Sequence, residues 1–409
     1  MTEKSLEQNY SKFVNVLIFI FPIVIISLQV AGDIVLFILA MMGIFISIFQ
    51  KLSPFVIKEI KVFSYLAIGY FTAICLSVVF SGQAAELAHY IPRDFYFLFA
   101  PFIALTLYKA DINVNYLLAG IKVGLIILGI MVSNKLLSGA YRPSGVMNAN
   151  VFGNLAVSLF FIALVFFQHE TFKQKFFTLL SLLSGLLIII ASGTRGAWLS
   201  FLLLIGVYLY FIYKQNNNLR KKFKIIMVLT IISLLSIGTF NQSVNSRLQN
   251  TITATSNWLS GDKSISAVSE RLIMYKKAIN NIQDVPFFGH GLRTSNVTLF
   301  KNDSSPHGKI AVGYNHLHNA YLTNYYNGGI VLLSALLLIL FVPLRLFLKA
   351  NSQNRTNPVF IAGVLLTVGY ASFGMVNILL GDTYMNGFYT FFLAIFMLLY
   401  AQSVKISST

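Results

Sequence analysis

Apolar runs of near-span length recur from one end of this chain to the other, and they restrict the solvent it can fold in. About 20 mainly apolar residues cross about 30 Å of hydrocarbon as a helix. Twelve such runs stand out: 13–30, 34–50, 62–81, 95–108, 115–133, 151–168, 176–192, 197–213, 225–240, 329–348, 358–380 and 387–403. With 56% hydrophobic and only 11% charged residues, the chain has too little polar surface to face water. A soluble domain carries about 25% charged residues. In lipid the backbone must satisfy its own hydrogen bonds within the span. The expectation is an all-α polytopic membrane protein of about 12 transmembrane helices. The first run is full span length and lacks a small-x-small cleavage pattern, so it reads as a membrane helix rather than a signal peptide.

A net charge of +17 would suggest nucleic acid on a soluble protein, but the placement of the charges gives another reading. With the N-terminus in the cytoplasm, the inside segments hold seventeen of the thirty Lys and Arg, among them Lys51, Lys58, Lys61, Arg220, Lys221, Lys222, Lys224, Arg345 and Lys405. Short outside loops hold four: Arg93, Lys135, Arg142 and Arg195. Eight more fall in one long outside segment, and Lys122 lies inside a span, where it can snorkel. The positive-inside rule then puts both termini in the cytoplasm, and the basic character implies membrane lipids and no nucleic acid. The single cysteine, Cys75, allows neither an intrachain disulfide nor a cysteine metal cluster, and reads as a small packed residue.

Three regions follow: nine spans over 1–240, a long outside segment over 241–328 containing short helices, and three spans over 329–409. A loop this long between spans is uncommon unless it is functional. It contains a helix-like stretch from Ser269 to Ile282, ended by the turn residues of Asp284-Val-Pro-Phe-Phe-Gly-His-Gly. No internal repeat is visible.

The residues that can do chemistry all fall outside. Ser192-Gly-Thr-Arg195-Gly-Ala-Trp198 is a tight loop that leaves Arg195 at the N-terminus of a helix, where backbone N–H groups and the dipole favour an anion. A guanidinium there can grip a phosphate bidentately; the plain alternative is a headgroup anchor. In Ser269-Glu270-Arg271-Leu-Ile-Met-Tyr275, Arg271 and Tyr275 are four apart and share a helical face. That stretch reads either as an amphipathic helix on the membrane surface or as a solvated helix in which Glu270 pairs internally. Tyr314-Asn-His316-Leu-His318-Asn319 packs two of the six histidines together, and histidine is the usual proton acceptor at neutral pH. Asn319 can orient a neighbour or a substrate hydroxyl, or simply cap a helix. Arg142, in Tyr141-Arg-Pro-Ser-Gly with Asn148-Ala-Asn150, is a further phosphate ligand or an interface anchor. Arg293 and Asp382 are weaker candidates. No outside loop has an Asp-x-Asp or Asp-Asp pair to hold a cation at phosphates. The expectation is therefore no metal and no cofactor, with leaving-group charge met by arginines and helix N-termini.

Taken in order, these segments resemble the O-antigen ligase family of bacterial inner-membrane proteins. The resemblance runs from Arg142-Pro-Ser-Gly through Gly-Thr-Arg195-Gly, Glu270-Arg271 with Tyr275, and Pro286-Phe-Phe-Gly-His-Gly to His318-Asn319, then nine residues and Gly329. It covers about residues 140 to 335. The family's histidine segment continues to Gly, Thr or Tyr where this chain has Leu332.

The resemblance implies a type C glycosyltransferase-like architecture in the inner membrane, with the active site on the periplasmic face and the long segment as a periplasmic loop. It implies a glycan on undecaprenyl diphosphate as donor and the lipid A–core oligosaccharide as acceptor. Arg195 and Arg271 would then hold the diphosphate with help from Arg142. His318 would be the catalytic residue, orienting the acceptor hydroxyl or taking its proton. His316, Asn319 and Tyr275 would support it. Two relatives with the same donor compete: an O-antigen polymerase and a protein O-oligosaccharyltransferase. The end of the chain just after the last span favours ligase or polymerase, and the histidine segment favours ligase. From another class, a lipid-linked glycan transporter or flippase would show broken helices, inverted repeats and polar residues near the midplane; here the polar residues gather at one face.

Overall fold

The computed structural model describes residues 3–55, 58–140, 142–215, 242–261 and 264–408, and these residues are helical without a strand among them. The helices are α1 (Glu3–Ser27), α2 (Gln29–Phe49), α3 (Lys58–Phe80), α4 (Leu87–Tyr90), α5 (Phe95–Lys109), α6 (Val114–Leu137), α7 (Ala149–Phe166), α8 (Phe172–Ala191) and α9 (Arg195–Gln215). They continue with α10 (Gln242–Leu259), α11 (Ala267–Asn280), α12 (Ser295–Phe300), α13 (Pro306–Val312), α14 (Ala320–Gln353), α15 (Pro358–Gly374) and α16 (Thr383–Ser408). Nine of the described helices are long and apolar enough to span a membrane, and α15 is a shorter apolar helix. The protein is a polytopic membrane protein. The expected ninth span, 225–240, lies outside the described residues, as do Tyr141 and the basic residues Arg220 to Lys224.

Burial separates the bundle's centre from its rim. The most apolar windows of α7 and α16 are 83% buried inside the protein, against 33% for α8. A helix apolar all round must be central, while rim helices leave Leu and Phe facing lipid. Close approaches make this packing possible: a Cβ on Gly120 of α6 would lie 2.1 Å from the Phe19 carbonyl oxygen of α1. Small residues at such crossings let backbones meet where no hydrophobic drive exists between helices.

Four expectations shift. The first span was expected to end at 30, but α1 stops at Ser27, Leu28 is extended (φ −136°, ψ 112°) and α2 starts at Gln29. Ser27-Leu28-Gln29 holds no Gly or Pro to mark that break. The 358–380 run leaves helix after Gly374, because Ile378-Leu-Leu is apolar for burial and not for helix; Leu379 and Leu380 are buried. The 329–348 span is the inner part of a longer helix: α14 starts at Ala320 and kinks at Gly328 and Gly329. Lys122 does not snorkel. Its Nζ lies 2.6 Å from Glu170 Oε1, with the two side chains 10% and 5% exposed. A charge this far into the bundle persists by pairing.

The α11–α14 region builds a second, smaller core at one end of the bundle, here called the loop face. Met274 and Ala278 of α11 pack with Leu299, Phe300, Ala311, Leu317 and Tyr326. The face of α11 that could have met a membrane surface is thus spent on the loop's own core. The turn at 286–291 docks on the α14 kink: His290 N–H donates to the Tyr326 carbonyl (2.8 Å) and Gly291 N–H to the Asn327 carbonyl (2.9 Å). The Ser77 hydroxyl adds a 2.6 Å bond to the same Asn327 carbonyl. A broken helix needs outside donors for its terminal carbonyls, and the Phe-Phe-Gly-His-Gly turn provides them.

Candidate active site

Three helices begin around one cavity of about 360 Å³ on the loop face. From α7 come Asn150 and Asn154, from the start of α9 Thr194, Arg195 and Gly196, and from the first turns of α11 Ala267, Arg271 and Tyr275; Arg142, Asn377 and Thr251 of α10 complete the polar wall. Among the described residues no lining residue is Asp or Glu. Three helix N-termini and three guanidinium groups thus face a space without a carboxylate, an electrostatic setting for an anion.

Each wall is held locally. The Asn148 side chain accepts from Asn150 N–H and caps α7. Ser266 caps α11 through a reciprocal box with Ser269. The Arg142 Nε donates to the Ser192 carbonyl at 3.0 Å, and its NH2 reaches Asn150 Oδ1 and Thr194 Oγ1, each at 3.3 Å. Arg142 therefore clamps the α8–α9 turn to α7 while its guanidinium lines the cavity. Asn154 is buried, and its Oδ1 has no hydrogen-bond partner among the described residues.

The histidines adjoin this cavity through shared neighbours. The Tyr275 hydroxyl, on the cavity wall, donates to the His318 carbonyl at 2.7 Å. Asn377, also on the wall, sits against His316. The two imidazoles meet edge-on with ring centres 4.5 Å apart. The strand of chain that carries them is pinned by Asn296, whose amide donates to the Tyr314 and His316 carbonyls, both at 2.9 Å. Leu317 between them is fully buried, and its N–H is bound by Thr323 Oγ1 at 3.1 Å. His318 itself adopts φ +52°, a left-handed conformation uncommon outside glycine and often retained at functional sites.

Burial lowers the His318 pKa to about 3, and His316 and Arg271 add to the effect. Burial likewise takes His316 to about 4, with Asn377 opposing and Arg271 reinforcing. Both rings are therefore neutral over the physiological range. Burial raises the Tyr275 hydroxyl, with Arg271 acting against it. The recurrence of Arg271 places its charge beside both histidines and the tyrosine.

The remaining candidates resolve as follows. Asn319 is the N-cap of α14: its Oδ1 accepts from Leu322 N–H at 3.0 Å, and its amide donates to the Met375 carbonyl at 3.2 Å. Glu270 does not pair within its helix; it binds His307 Nδ1 at 2.6 Å. Asp382 is not brought to the cavity and caps α16 through Tyr384 N–H (3.0 Å). Arg293 lies over the Tyr90 ring at 5.7 Å, away from the cavity wall. Asn150, Asn154, Thr194 and Asn377 were not picked out as site residues from the sequence. For Asn377 the signal was present, a lone amide in an apolar run.

A multi-pass helical membrane protein with an arginine-walled, acid-free cavity at one end of its bundle is suited to handling an anionic, membrane-embedded substrate. Residues 177–337 match the O-antigen ligase family, whose members are glycosyltransferase-like ligases and polymerases. The match includes Arg195, Arg271, Tyr275, His316, His318 and Asn319 and leaves Arg142 outside. The chain is also similar to an uncharacterized protein of Haemophilus influenzae, 25% identical over 374 residues that cover 89% of this chain and 92% of that one.

Proposed function

We propose that this protein is an O-antigen ligase of the bacterial inner membrane. It transfers a glycan from undecaprenyl diphosphate to the lipid A–core oligosaccharide on the periplasmic face, without a metal. The observation that carries the reading is the cavity wall itself: Arg142, Arg195, Arg271 and Tyr275 line one space free of carboxylates, and Tyr275 holds the backbone of His318.

In this reading the acceptor hydroxyl oxygen attacks the anomeric carbon, and the bond from that carbon to the diphosphate oxygen breaks. The diphosphate departs with the electron pair. Arg195 and Arg271 hold it and take up the charge that grows on it, with the N-termini of α9 and α11 adding to the field. Arg142 assists. His318, neutral in the protein, accepts a hydrogen bond from the attacking hydroxyl and orients it. A diphosphate bound nearby raises the basicity of the ring through its opposite charge, which suits His318 to take the proton once the donor is seated. His316 and Asn319 position this group.

The test is a transfer assay with purified protein, lipid-linked glycan and lipid A–core acceptor in the presence of EDTA. Wild type transfers; Arg195→Ala and His318→Ala each lose at least about a hundredfold while remaining folded in detergent. Full-rate transfer by either variant would end the assignment of roles, and abolition of wild-type transfer by EDTA would end the metal-independent reading. Product carrying only lengthened carrier-linked glycan would make the protein a polymerase.

A further inference from the structure

A second cleft of about 360 Å³ lies against the first, and Arg195, Ala267 and Val268 line both. Its other wall is one face of α10. Asn250, Thr253, Ala254 and Asn257 recur at helical spacing and point their side chains into the cleft, opposite Ser264 and Ser266 at the entry to α11. The chemistry of this wall differs from that of its neighbour. Among the described residues lining it, Arg195 at the shared boundary is the one charged residue, and the rest of the polar wall is amide and hydroxyl. Ala254 and Val268 add small apolar surface. Amides both donate and accept, and hydroxyls do the same. Such a wall matches a ligand dense in neutral hydroxyl and acetamido groups with apolar ring faces. Its size falls within the range of small-molecule pockets.

We infer that this cleft is the subsite for the first sugar units of the donor glycan, read by Asn250, Thr253 and Asn257, with Arg195 marking the border between sugar and diphosphate. The inference rests on the donor reading proposed above and adds to it a glycan-specificity determinant on the Asn250, Thr253 and Asn257 face of α10, a helix whose Thr251 also reaches the first cavity but which carries none of Arg142, Arg195, Arg271 and the two histidines.

The experiment measures affinity of the full chain in detergent for two probes: undecaprenyl diphosphate alone, and the lipid-linked glycan extracted from the host's membranes. Wild type, Asn250→Ala/Asn257→Ala and Arg195→Ala are compared. The double variant is expected to bind the lipid-linked glycan about tenfold more weakly, for two hydrogen-bonding side chains removed. It should bind the bare diphosphate as wild type does, which also shows that it is folded. Arg195→Ala should weaken both probes. Unchanged affinity of the double variant for the glycan-bearing lipid would overturn the subsite. An equal loss for both probes would overturn it too, by making α10 part of the diphosphate seat. If wild type binds neither probe, the donor reading fails and the subsite fails with it.

Discussion

Gly329→Ala tests whether the docked kink positions the histidines. Gly329 sits at φ +61°, ψ −158°, a region essentially restricted to glycine, where another residue costs about 1–3 kcal/mol. A Cβ there would lie 2.0 Å from the Phe287 carbonyl oxygen. That atom is backbone, so relief requires the 286–291 turn to leave α14. Its departure breaks the His290–Tyr326 and Gly291–Asn327 backbone bonds, at about 1 kcal/mol each. In the docked state the backbone strain alone, about 2 kcal/mol, lowers the docked-to-undocked ratio about thirtyfold, and the overlap with the Phe287 carbonyl lowers it further. Val285, just before the turn, and Tyr326 of the outer half of α14, on which His290 stacks, belong to the core that buries Leu317, so undocking should also loosen His318. Thermal unfolding in detergent should show a clear fall in midpoint, and transfer should drop at least tenfold. Gly206→Ala is the control: nothing lies within 4 Å of a Cβ at that position in α9, so it should be neutral or stabilising by up to about 1 kcal/mol. A Gly329→Ala protein with wild-type midpoint and wild-type transfer would refute the reasoning.

Three further outcomes are expected. The folded protein holds His316 and His318 neutral with pKa values of about 4 and 3, below the unfolded value of about 6.5. Since the unfolded chain then binds more protons, their contribution to stability is complete above about pH 6.5 and is lost as pH falls toward 3. Without donor, the imidazole signals of His318 followed by NMR should show no titration between pH 6 and 8; a midpoint near 6.5 would contradict the burial argument. Tyr275→Phe removes the 2.7 Å bond to the His318 carbonyl. It should slow transfer about fivefold with little change in melting, in keeping with about 1 kcal/mol for one hydrogen bond; an unchanged rate would remove Tyr275 as a positioning residue. Lys122→Met leaves Glu170 buried without its cation and should cost about 3–5 kcal/mol. Lys122→Met/Glu170→Met should recover most of that loss in a thermal double-mutant cycle, and failure to recover would mean the pair is not coupled.

Membrane immersion was readable residue by residue. The apolar runs that became α3, α6, α7, α8 and α9 announce themselves because each must be solvated by lipid along its own length, a local property of the chain. Arg195 at a helix start and Arg271 four residues before Tyr275 were equally local, because a Gly-Thr turn and a helical period are written in consecutive residues. The break at Leu28 and the end of α15 at Gly374 were not, since an apolar residue looks the same in a lipid-facing helix and in a buried loop. Lys122 looked like a snorkelling charge because its partner, Glu170, is 48 positions away. The Pro286-Phe-Phe-Gly-His-Gly segment read as a turn, and only the fold shows that it closes the kink of α14; Asn296, which carried no signal as a site residue, holds the histidine segment, and Asn377, a lone amide in an apolar run, flanks it. Burial, partners and cavity walls are properties of pairs brought together by packing, and only the folded bundle decides which pairs meet.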